Sequence, residues 1–139
     1  MGEYAAPVLA KVAQWLAHAD EDLRWAQHGF AVVGGNPYRL IAYHAQQAVE
    51  KNLKAYLVLE GVDFPYTHNI ARLLELCAER AQWAVELKDA EELTPYAIGA
   101  RYPSEQDEVT ESDARRAVDI AQRVRAVVRH ALTGLGVQA

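Results

Sequence analysis

Apolar residues recur along this chain at steps of three and four, and nowhere do they alternate with polar ones in the period of a strand. That spacing puts them on one face of a helix. Val8, Val12, Trp15, Leu16, Ala19, Leu23, Ala26, Phe30 and Val33 form the first stripe, so a helix is expected from about Val8 to Val33, ended by Gly34-Gly35. Asn36 and Pro37 suit an N-cap and a first helical position, and a second helix should run to about Glu60, with Gly61 at its end. A third, short helix is expected over His68 to Arg80, capped by Thr67 and carrying Ile70, Leu73, Leu74 and Cys77. A fourth is expected from Asp89 to Ala100, with Pro95 inside it as a breaker. A fifth over Ser112 to Leu132 carries Ala114, Ala117, Val118, Ala121, Val124, Val128 and Leu132. The acids from Glu105 to Asp113 read as a solvated loop feeding its N-terminus, where negative charge suits the helix dipole. The expected architecture is all-α: an antiparallel up-and-down bundle of four main helices plus a short one, in one domain spanning residues 1–139.

Composition narrows the partners. The net charge is -5, so any phosphate must be held by a local patch and not by the global field. Ten of the fourteen cationic residues are Arg, and five of them (Arg115, Arg116, Arg123, Arg125 and Arg129) fall on the last helix. That helix is the one basic surface expected in an acidic protein, to meet RNA, a nucleotide or an acidic partner, or to be a solvated face. The single cysteine, Cys77, excludes a disulfide within the chain and fits a cytoplasmic setting. No stretch approaches 18 uncharged apolar residues, and no signal peptide is expected. The five histidines show no metal-ligand spacing, and Gly-rich phosphate loops are missing, so no metal and no cofactor are expected.

One stretch stands out: His44-Ala-Gln-Gln-Ala-Val-Glu-Lys-Asn-Leu-Lys54. Thr67-His68-Asn69 follows before the next helix, and Ala100-Arg101-Tyr102-Pro103 precedes the last. In order and spacing these three elements resemble the HEPN family. The resemblance implies an antiparallel bundle, often a homodimer. It also implies a role beside a separate minimal nucleotidyltransferase, in some members as a toxin–antitoxin-like pair. Other branches are metal-independent ribonucleases with an Arg-x(4–6)-His motif. The expected partners are thus a second copy, a nucleotidyltransferase and a nucleotide or RNA, with no DNA sequence reading and no membrane.

Each candidate residue carries two readings. Tyr43, Gln47, Glu50 and Lys54 share a helical face, with His44 and Lys51 on the neighbouring line. This is either a polar groove, with Lys51 and Lys54 for phosphate and Gln47 for a base or ribose edge, or a solvated face with an ordinary ion pair. His68, expected in the first turn of its helix, is either a structural cap or a catalytic group. Arg101 beside Tyr102 either holds a phosphate and stacks a base, or pins its loop to an acid such as Glu50. Metal-free RNA cleavage needs a base for the 2′-hydroxyl and a cation for the developing charge. Arg39-x4-His44 and Arg125-x4-His130 both have the spacing, and the second is better placed. Residues five apart lie roughly 140° apart around a helix, however, and Ala126 follows Arg125 where the nuclease branches commonly carry a polar residue. The candidate nucleotide-binding set is therefore His44, Gln47, Glu50, Lys51, Lys54, His68, Arg101 and Tyr102. The candidate catalytic pair is Arg125 and His130.

Overall fold

A computed structural model describes residues 4–99 and 108–139. Among the described residues five α-helices follow one another: α1 (Ala6–Gly29), α2 (Tyr38–Leu59), α3 (Ile70–Ala78), α4 (Tyr96–Gly99) and α5 (Glu111–Gly134). A tighter 3-10 segment, Gln82–Leu93, lies between α3 and α4, and no strand occurs among the described residues. The all-α bundle expected from the periodicity is the fold.

At its centre stands α2. Fourteen of its 22 residues are buried, from Ile41 to Leu59. A helix apolar on so many sides must be covered on several. Its covers are α1 along one flank and α5 along another, with α3, α4 and the 3-10 segment closing the rest. Between α1 and α5 themselves contact is slight, so a cleft runs between them.

The helix ends show where local chemistry chose between competing signals. Helix α1 stops at Gly29, four residues before the expected end, because Phe30 and Ala31 turn back in short-range bonds to Gln27 and His28. Gly34 and Gly35 lie in the connection beyond, at φ +85° and +68°. Helix α2 begins at Tyr38, whose N–H donates to Asn36 Oδ1 at 3.0 Å. It ends as expected at Gly61, where φ +69° suits a residue without Cβ and Val62 N–H reaches back to Leu57 O at 2.9 Å.

Helix α3 begins two residues later than expected. Asn69, not Thr67, is the cap: its side chain accepts from Arg72 N–H at 3.2 Å, while Thr67 Oγ1 accepts from Asn69 N–H at 3.0 Å in the turn before it. His68 therefore lies ahead of the helix and not in its first turn. The expected helix over Asp89 to Ala100 is broken: 3-10 turns kinked at Leu87 run to Leu93, and Pro95 separates them from the single turn of α4. Helix α5 opens with a capping box, in which Thr110 and Asp113 bond each other's backbone N–H. Glu111 and Asp113 occupy its first turn, as the dipole favours. Among the described residues no helix is long and apolar enough to cross a membrane. Cys77 is fully buried, and burial pushes its thiol up to about 12, which makes it a core residue.

Candidate functional site

The polar face of α2 is built around two buried carboxylates. Glu50, 2% exposed, is the first. Its oxygens accept from Lys54 Nζ at 3.2 Å, from Gln47 Nε2 at 3.3 Å and from Gln46 Nε2. Gln46 Oε1 in turn accepts from Gln47 Nε2 at 2.7 Å. His68 Nδ1 completes the set, 3.0 Å from Glu50 Oε2. A carboxylate only accepts, so Nδ1 carries the ring proton and Nε2 is the free edge when the imidazole is neutral. Lys54 is 8% exposed, and its ammonium also lies 5.5 Å from the Trp15 ring centre and 5.8 Å from that of Phe64. A buried ammonium needs such compensation.

Asp22 of α1 is the second carboxylate. His44 Nδ1 donates to its Oδ1 at 2.9 Å and Lys51 Nζ to its Oδ2 at 2.5 Å. Here too the pairing leaves Nε2 of the histidine as the outward edge. Two acids thus face two lysines, and both histidines are held in one tautomer by a carboxylate.

Six of the residues expected to bind a nucleotide thus fall in two sets along α2: His44 and Lys51 on Asp22, and Gln47, Lys54 and His68 on Glu50. Their surroundings fall between the two readings. The face is no solvated surface, since Glu50 and Lys54 are buried; yet each lysine is already paired with an acid. Arg101 and Tyr102 lie outside the described residues.

Every arginine of the basic surface expected on α5 is paired with an acid. Arg115 pairs with Glu111 at 2.8 Å, Arg116 with Glu92 at 2.9 Å, and Arg123 with Asp89. Arg125 and Arg129 both reach Asp20 of α1 at 2.7 Å. Asp20, Arg24, Gln27, Gln122 and Arg125 line the α1–α5 cleft, a cavity of about 390 Å³. Arg125 thus lies against α1, while His130, five residues on, is exposed. Among the described residues no group of three or more acids, histidines or cysteines is gathered to hold a metal.

Burial alone would raise the Asp20 carboxyl, but hydrogen bonds and charge from Arg125 and Arg129 outweigh it and hold it below its ordinary 3.8. The folded state therefore takes up this proton at lower pH than the unfolded chain does. Stability from the pair is fully present above 3.8 and is lost as pH falls through the folded value. Asp20→Asn is expected to flatten that part of the urea-midpoint curve between about pH 5 and pH 2. The size is on the order of 1 kcal/mol or less, because the pair is partly in water. An unchanged acid slope in the variant would mean that Asp20 is not the group responsible.

Three residues of these networks were not among the expected site residues: Asp22 and Asp20 of α1, and Gln46 of α2. Asp22 had a signal. It stands three residues after Ala19 and four before Ala26, at a core-register position where an acid needs a partner. Gln46, fully buried, has the same anomaly between Ala42 and Val49. Asp20 had none, because its partners lie 105 and 109 residues away.

The family model for the HEPN domain matches residues 12–131. The crystal structure of TT1696 from Thermus thermophilus is similar to this chain, with 29% sequence identity and a TM-score of 0.70. The match covers 86% of this chain and 97% of that one. No curated protein matches.

Proposed function

Because the chain belongs to the HEPN domain family, whose members include nucleotide- and RNA-related modules, we propose that it is a binding module for a nucleotide or RNA. It acts as the partner subunit of a separate minimal nucleotidyltransferase, in a toxin–antitoxin-like pair, and is itself a homodimer. The observation that carries the binding role is the preorganised α2 face, where buried Asp22 and Glu50 orient His44, Gln47, Lys51 and His68 before any ligand arrives. Preorganisation of this kind lowers the ordering cost of binding. Since both lysines are already paired, base and ribose edges contribute hydrogen bonds and the phosphate adds a weaker share than an open basic patch would give.

Thermal unfolding with millimolar ATP tests this. Saturation to about a hundredfold over Kd stabilises the folded state by about 2.7 kcal/mol, a rise of roughly 5–10 °C. Lys51→Ala should cut the rise by more than half, as it removes one cation and loosens Asp22. No shift with ATP or with a short single-stranded RNA would sink the binding role. The pairing is tested by co-expression with a minimal nucleotidyltransferase, where a complex stable through size exclusion is expected. Cleavage of RNA in EDTA that His130→Ala abolishes would replace the module with a ribonuclease built on Arg125 and His130.

A further inference from the structure

Where α1 gives way to α2, the bundle end holds a second cavity, of about 340 Å³. Its walls are Trp25, Val32, Leu40 and Ile41, and its polar edges are His28, Asn36 and His44. That volume is at the small end of the range for ligand pockets, which runs from roughly 300 to 1,000 Å³. No Asp, Glu, Lys or Arg lines it.

Ile41 belongs to the core, but the core does not account for the other three walls. Leu23 and Ala26 carry the buried stripe of α1, whereas Trp25 beside them is 63% exposed, Val32 58% and Leu40 50%. An indole left this open beside a cavity offers a flat apolar face to a ligand. Gly29 also lines the cavity, and a Cβ there would meet Ile41 Cγ1 at 2.3 Å, so only glycine lets α1 come this close to α2. The polar edge is oriented as well. Asp22 accepts the Nδ1–H hydrogen bond of His44, and Lys51 donates to the other Asp22 oxygen. In the neutral imidazole this leaves Nε2 as the acceptor, on a residue that lines the cavity.

An apolar slot with an exposed ring to stack on, a polar edge of His28, Asn36 and His44 and no Lys or Arg suits a neutral flat heterocycle with an N–H donor better than a phosphate. We propose that this cavity is the base subsite of the nucleotide or RNA site, and that it takes a purine. The ring stacks on Trp25, and an amino group donates to His44 Nε2. This rests on the nucleotide reading above and adds the place and the chemistry of base recognition. The phosphate end then lies toward Lys51, which shares Asp22 with His44.

Adenosine, which has no phosphate, isolates the subsite. Titration calorimetry of the whole chain should show adenosine binding, with Kd raised about tenfold or more by Trp25→Ala, since base–aromatic stacking is worth about 1–3 kcal/mol. His44→Phe, which keeps a ring and removes the acceptor, should raise it about tenfold. Trp25 is mostly in water, so its removal leaves the core intact, and circular dichroism checks that both variants are folded. ATP binding that depends on Lys51, without any adenosine binding, would overturn the subsite and leave the nucleotide reading standing. Adenosine binding that ignores both substitutions would overturn it too, by placing the base elsewhere. If neither ligand binds, the subsite falls, and the nucleotide or RNA reading falls with it when a short single-stranded RNA also fails to bind. A dimer that Trp25→Ala splits, with adenosine affinity unchanged, would assign the face to a second copy instead. AMP and a short oligoadenylate in the same titration separate a free nucleotide from RNA.

Discussion

Glu50→Ala is expected to lower the stability of the fold by about 3–5 kcal/mol, read as a drop in the urea midpoint. The reason is what the substitution leaves behind. Lys54 is 8% exposed and is held by Glu50, with the Trp15 and Phe64 rings beside it. Without the carboxylate, an ammonium remains buried against aromatic faces that cannot replace a full charge. Gln46, fully buried, loses its acceptor at the same time. His68 loses the group that holds its ring, so the loop ahead of α3 loosens as well. Removing both charges tells a different story. Glu50→Leu with Lys54→Met should recover most of the loss, because well-packed apolar residues of similar size often replace a buried pair at little cost. The double variant should nonetheless lose the thermal shift with ATP. A single variant that costs less than about 1 kcal/mol would mean that the α2 face is wetter than its burial indicates.

A second large effect is expected at Leu53, which is fully buried on the central helix. Leu53→Ala should cost about 2–5 kcal/mol, the loss of transfer energy plus the cavity left behind. Helix α2 is covered on several sides, so no single neighbour can swing in to fill the space. Leu40→Ala serves as the control. It sits on the same helix at 50% exposure and should change stability by about 0.5 kcal/mol or less. Equal losses at the two positions would contradict the placement of α2 at the centre.

The bundle could be read from the chain because its evidence is local. Steps of three and four mark each long helix, and Gly61 marks the end of α2 within a turn. Where two polar residues competed for one cap, as Thr67 and Asn69 did, the neighbouring backbone decided, and the start moved by two residues. Pro95 announced a break, but the 3-10 geometry of Gln82–Leu93 depends on packing against α3. The candidate site was legible in part for the same reason. His44, Gln47, Glu50, Lys51 and Lys54 share one helix, so their relative places follow from about 3.6 residues per turn.

Periodicity cannot supply a partner from another helix. Nothing local told Lys51 that Asp22 would stand opposite, or told Arg125 and Arg129 that both would pair with Asp20. The expected basic surface on α5 became a set of ion pairs because acids from α1 and the 3-10 segment face it across the bundle. Nor could the chain foretell that Trp25 would be left at the lip of a cavity, since that requires α1, its connection and α2 to meet. The sequence by itself determined which residues form helices and which face of each turns inward, because both follow from contacts within a few turns. Only the tertiary structure decided which charges are neutralised and which ring edges stay open, because a charge is paired, or a ring covered, only by what packs against it.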